Sequence, residues 1–188
     1  KKFPEGDEVV KKLLLQRKNI IHKAANKLDV FKDIITARLK EKGDLKYTLV
    51  YAPEGNVVDE FDNEIFSKQD YLSDDTETIH IIDDFTRVIK DAGPTITVRQ
   101  FTSESKEREE MLGEFASGNL QVLTSMKCLD EGVDVPRSEL AIFCASTGNP
   151  RQFIQRRGRF LRKHPDKHKA VIHDLLVIPE IVEGADNF

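Results

Sequence analysis

An α/β fold with a mostly parallel central sheet is predicted by three features of this 188-residue chain. Stretches rich in β-forming residues alternate with helical stretches, which implies right-handed crossovers between parallel strands. Residues 139–146, ELAIFCAS, form a near-continuous apolar run, the pattern of a strand buried on both faces. Small or polar residues close several strands, at Ala52, Thr102, Thr124 to Ser125 and Ser146 to Gly148. In open α/β sheets that carboxyl rim is where ligands sit.

The elements follow in order. Residues 7–41 read as helix, with Leu13, Leu14, Ile20, Ile21, Leu28 and Phe31 at roughly helical spacing and a break near Asn26 to Asp29. Tyr47 to Ala52 is a strand closed by Pro53. Residues 53–75 hold eight acids against one lysine and read as an acidic, exposed insertion. Thr76 is a cap for a helix carrying Ile81, Ile82, Phe85, Val88 and Ile89, and Gly93-Pro94 ends it. A strand over 95–101 precedes a helix over 103–118, with Met111, Leu112 and Phe115 inward and Gly118 as its stop. Strands follow over 120–126, 139–146 and 170–178, with a helix opening at Asn149-Pro150 and running to about Lys163. The domain proper is placed at 45–188, with 1–44 as a helical lead-in.

Charge is uneven. The net value is −4, yet residues 1–50 carry 13 basic and 7 acidic side chains, residues 51–118 carry 6 and 17, and residues 119–188 carry 10 and 9. Residues 151–169 hold eight Lys/Arg against the single acid Asp166. Such a local basic patch can bind phosphate on an otherwise acidic body. No apolar run approaches the ~18 residues of a membrane span. Two cysteines and no signal-like opening point to a reducing, cytoplasmic setting. The chain opens on Lys1 rather than Met and reads as a piece of a longer polypeptide.

Two motifs carry chemistry. The first is QRRGRFLR, Gln155 to Arg162. At about 100° per residue, Gln155, Arg159 and Arg162 fall within an arc of roughly 60°, with Gly158 beside it. Phe153, Ile154, Phe160 and Leu161 lie opposite, so the expectation is an apolar face on the sheet and a polar face outward. Two guanidiniums on one face suit a polyphosphate, each offering a planar fork of donors. The plainer alternative is a solvated basic helix face. Arg157 falls inside the apolar arc and must snorkel or pair. The second motif is LTSMKCLDEGVDVP, Leu123 to Pro136. Thr124 and Ser125 end a buried strand and are expected to present hydroxyls at the rim, where such groups hold phosphates without reading bases. Glu131, Gly132 and Asp134 form a flexible acidic turn suited to ribose hydroxyls, or an ordinary solvated turn. No metal site is expected: the histidines and cysteines match no usual zinc spacing.

DEGVDVP followed by QRRGRFLR resembles motifs V and VI of superfamily-two helicases and translocases, and TLVYA resembles their motif IV strand. The resemblance spans about residues 45–179 and is closest in flavour to restriction-type and DNA-repair-type enzymes, since Gln rather than His heads motif VI. It implies a RecA-like three-layer domain, the second motor half of an ATP-dependent DNA helicase or translocase. Arg159 and Arg162 would be arginine fingers meeting the γ-phosphate of ATP. Gln155 would sense nucleotide, and Arg156 would tie motif VI to the other domain. Glu131, Gly132 and Asp134 would lie near the ribose. Thr124, Ser125 and Thr102 would touch the nucleic-acid backbone, DNA foremost, with RNA left open. The sequence departs from a complete motor in lacking a GxxxxGK[ST] loop and a DExx box at a strand end. ATP and its Mg²⁺ would therefore be held mainly by a first RecA-like domain, and this chain alone would not hydrolyse ATP. The rival is a non-catalytic RecA-like module that binds nucleic acid or a partner protein.

Overall fold

The computed structural model describes residues 26–53, 75–102, 105–126, 135–145 and 150–178, together with scattered positions between 9 and 24. The acidic insertion and the turn holding Glu131, Gly132 and Asp134 lie outside the described residues. Four strand pairings, all parallel, join five strands: β1 (Thr48–Tyr51), β2 (Val98–Phe101), β3 (Val122–Ser125), β4 (Leu140–Phe143) and β5 (Val171–Asp174). Their order is β2-β3-β1-β4-β5. The chain steps outward past β3 to β2, returns, then crosses to the far side of β1. That reversal places the switch point over the carboxyl ends of β3, β1 and β4.

Alternation along the strands divides the interior in two, since successive side chains take opposite faces. Val50, Val122, Leu140 and Ile142 face one layer, and Leu49, Tyr51, Leu123, Ala141 and Phe143 the other. The first face is covered by helices α1 (Asn26–Lys42) and α2 (Asp75–Asp91), through Phe31, Ile35, Ile82, Phe85 and Ile89. Phe31 and Phe85 meet edge to face at 4.9 Å. The second is covered by α3 (Arg108–Ser117) and α4 (Pro150–Phe160), through Met111, Phe115 and Phe160. This is the three-layer arrangement, and β3, β1 and β4 are buried along their whole length.

Element existence follows the sequence expectation, while the ends are shorter. The strand expected to open at Thr95 begins at Val98, because Thr95 is still in the turn that the Ile96 N–H closes on the Gly93 carbonyl at 3.2 Å. The last strand stops at Asp174 rather than Ile178, and Leu176 and Ile178 are exposed. Thr76, expected as a cap, already lies inside α2. Gly118 does end α3, in the left-handed conformation at φ 79°, with its N–H donating to the Phe115 carbonyl. Helix α1 contributes directly to the core, and Arg38 near its end bonds Glu139 at 3.0 Å, just before β4. The described residues between 9 and 22 are helical and Ala24 is not, so the break falls just before Asn26.

Candidate functional site

Strand register sets the floor of the site. At the carboxyl end of the sheet Phe101, Ser125, Tyr51, Phe143 and Asp174 stand side by side, one from each strand. Tyr51 and Phe143 stack nearly parallel, with centroids 4.6 Å apart. Helix α4 lies against this row. The Arg156 guanidinium sits 5.8 Å from the Tyr51 centroid, and that of Arg157 sits 5.0 Å from Phe143. Arg157 also pairs with Asp174, so the row takes up two consecutive arginines.

That docking corrects one expectation. Ile154 and Leu161 do not pack on the sheet: they are 68% and 53% exposed. The buried arc is instead Arg156, Arg157 and Phe160, with Arg156 only 7% exposed and Phe160 fully buried. The physical reason is that a guanidinium has a flat, weakly hydrated face, and the stacked Tyr51 and Phe143 rings receive two of them. An aliphatic face would forgo the pair with Asp174. The helix is therefore rotated from the orientation that hydrophobicity alone selects. The pairing required of Arg157 is met by Asp174.

The outward arc then holds Gln155, Gly158 and Arg162, all exposed, with Arg159 partly exposed beside them. Gln155, Arg159 and Arg162 remain on the solvent side of α4, joined there by Ile154 and Leu161. Arg162 lies just past the helix, where its N–H still reaches the Arg159 carbonyl at 3.3 Å and preserves the helical direction. Arg156 stands apart, turned inward onto Tyr51.

Thr124 and Ser125 are fully buried, so neither hydroxyl is presented at the rim as expected. The Thr124 hydroxyl lies 3.2 Å from that of Thr86 on α2 and 3.4 Å from the Arg99 carbonyl. Gln100 donates to Thr86 at 3.2 Å and to Asp83 at 2.7 Å. This polar chain fixes the end of β3 to α2 and β2. The Ser125 Oγ is buried with no hydrogen-bond partner. Thr102 is half-buried beyond β2, and its N–H donates to Ser105 Oγ at 3.0 Å.

Sequence reasoning missed Lys27. Its side chain is almost fully buried at the start of α1, and Nζ donates to the Cys144 carbonyl at 2.8 Å, at the end of β4. Burial holds its pKa below the ordinary lysine value and pushes the buried Cys144 thiol well above its own. Lysines in a lead-in helix carry no signal that one of them turns inward. Among the described residues no helix is long and apolar enough to cross a membrane.

Over 77 residues the chain is 44% identical to the DNA 3'-5' translocase XPB2 of Sulfurisphaera tokodaii, covering 41% of this chain and 17% of that protein. Over 92 residues it is 32% identical to the putative ATP-dependent helicase IRC3 of Saccharomyces cerevisiae, covering 48% of this chain and 13% of that one. The chain thus spans less than a fifth of these curated relatives. Among solved structures, domain 2 of the DEAD-box helicase Mss116p bound to an RNA duplex gives a TM-score of 0.58 at 14% identity, over 80% of this chain and 50% of that chain. A fragment of a putative HsdR subunit of a type I restriction enzyme from Vibrio vulnificus YJ016 gives 0.53 at 20% identity, over 85% and 28%. Both show likeness of fold. The model of the helicase conserved C-terminal domain matches residues 26–164, and the chain belongs to that family, the C-terminal RecA-like domain of superfamily-two helicases and translocases.

Proposed function

We propose that the chain is the second motor domain of an ATP-dependent DNA helicase or translocase, working against a first RecA-like domain on the same polypeptide. The observation that carries this reading is the outward arc of α4. Gln155, Gly158 and Arg162 share it with Arg159, on a helix whose inner side is anchored by two arginines. Such an arc fits the terminal phosphates of a nucleotide held across a domain interface: permanent cations, an amide and a glycine gap converge on one side. ATP, with its Mg²⁺, would be held mainly by the first domain and would supply the phosphoanhydride that is cleaved once the two domains close and the arc of α4 meets its terminal phosphates.

In this reading Arg159 and Arg162 are the catalytic groups of the chain. Their guanidiniums stabilise the negative charge that builds on the transferred phosphoryl oxygens. Anchoring α4 in advance removes reorganisation from the reacting step. Gln155 reports nucleotide state from the same arc, and Arg156 holds the helix angle from beneath through Tyr51. Glu131, Gly132 and Asp134 take the ribose side. Thr102 touches the nucleic-acid backbone, with Thr124 and Ser125 setting the strand end below it. DNA is the substrate favoured by the names of the curated relatives, and RNA is the alternative. An intracellular, reducing compartment suits the free, buried Cys144.

The test is Arg159→Ala in the longer polypeptide. It should lower nucleic-acid-stimulated ATP turnover about a thousandfold, the scale of an arginine finger, with the thermal midpoint unchanged. Turnover within tenfold of the parent, in a folded variant, overturns the finger assignment. Nucleic-acid binding without stimulated turnover in the parent itself would instead favour the non-catalytic module.

A further inference from the structure

We propose that Lys167 is a positioning residue for the motor step, a clasp that makes the end of DEGVDVP and the arginine-bearing end of α4 move as one body. The proposal rests on the motor reading above.

The geometry is specific. Lys167 Nζ donates to the carbonyls of Phe160, Arg162 (2.9 Å) and Pro136 (3.1 Å). An ammonium has three donors, and all three are used. Its charge also lies 4.9 Å from the Phe160 ring centroid. The Phe160 carbonyl ends α4 and the Arg162 carbonyl lies two residues beyond it, where no helical N–H groups remain to satisfy them and where a cation is favoured. The third belongs to the residue that closes the other motif. A simple helix cap has no need of that third bond.

The neighbouring residue repeats the grip. Asp166 lies 3.8 Å from Arg137, the residue after Pro136. Arg137 in turn sits 4.4 Å from the Tyr47 ring centroid and donates to the Ala116 carbonyl at 3.1 Å. The turn His164-Pro165-Asp166-Lys167 is held closed by the Lys167 N–H on the His164 carbonyl and the Asp166 N–H on His164 Nδ1. Consecutive residues of this turn thus hold Pro136, the last residue of DEGVDVP, and Arg137, the residue after it. Burial lowers the Lys167 pKa, as expected of an ammonium that has exchanged water for carbonyls.

Arg162, a proposed finger, therefore hangs from a carbonyl that Lys167 fixes. Release of the clasp leaves the guanidinium present but misplaced, and misplacement by about 1 Å costs a reacting group up to roughly a hundredfold.

The test compares Lys167→Met and Lys167→Arg with the parent and with Lys163→Met, an exposed lysine of the same segment. All are made in the longer motor polypeptide and assayed well below its melting temperature. Lys167→Met should lower stimulated kcat about tenfold while KM for ATP changes less than twofold. Lys167→Arg keeps the charge and should recover part of that loss, and Lys163→Met should match the parent. Hydrogen exchange at the Leu161 and Arg162 amides should quicken in Lys167→Met. A lowered melting temperature with normal kcat reduces Lys167 to a helix cap and overturns the proposal, as does unchanged exchange. If Arg159→Ala abolishes turnover while Lys167→Met does not, the motor reading stands and only the clasp falls. A parent polypeptide with no stimulated turnover overturns both.

Discussion

Arg157 and Arg162, five positions apart on one motif, have opposite surroundings. Arg157 is mostly buried, stacked on Phe143 and paired with Asp174, whose side chain is also mostly buried. Arg157→Ala removes both the contact with Phe143 and the pair with Asp174 and should cost about 1–3 kcal/mol of stability, read by urea unfolding. Arg162 is exposed beyond the helix, and Arg162→Ala should change stability by no more than about 0.5 kcal/mol while impairing turnover. Equal losses of stability in the two variants would contradict the division of labour. The sequence shows two basic side chains in one run. Only the register that puts Tyr51, Phe143 and Asp174 abreast distinguishes them. Thr124 gives the same lesson: its place at a strand end was legible, but its hydroxyl is taken up by Thr86, a partner 38 residues away.

Helix and strand identities were readable because each rests on local periodicity. The run around β4 is apolar on both faces because helices cover both faces, and Gly118 closes α3 because its φ of 79° suits glycine. A Cβ at Gly118 would stand 2.8 Å from the Tyr47 hydroxyl oxygen. Gly118→Ala should therefore cost about 1–3 kcal/mol, from the left-handed backbone and the contact together. The double variant with Tyr47→Phe should recover part of this in thermal melts, and no recovery would assign the whole cost to the backbone. The facing of α4 was not readable. Hydrophobicity ranks arginine as a surface residue and isoleucine as a core residue, whereas here aromatic rings receive the arginines and Ile154 is left outside.

For the whole molecule, the motif order sufficed to place the family, whose model matches residues 26–164. What the order could not convey is the long-range bonding between α1 and the strand that leads to α4. Lys27 donates to the Cys144 carbonyl across 117 positions. Because burial lowers its pKa, the unfolded chain holds a proton that the folded chain has shed between the lowered and the ordinary lysine values. Stability contributed by this group therefore rises with pH through that window, and the full cost of burying the charge is present below it. As pH rises toward the ordinary lysine value, wild type should gain stability relative to Lys27→Met in urea unfolding. Parallel pH profiles would contradict a titrating Lys27.

The half-motor assignment is tested most directly by ATP turnover of the 188-residue chain beside the longer polypeptide, each with and without single- and double-stranded DNA and RNA. The predicted result is no turnover by the chain alone and DNA-stimulated turnover by the longer polypeptide. Turnover by the chain alone, or none by the longer polypeptide with any nucleic acid, would contradict it.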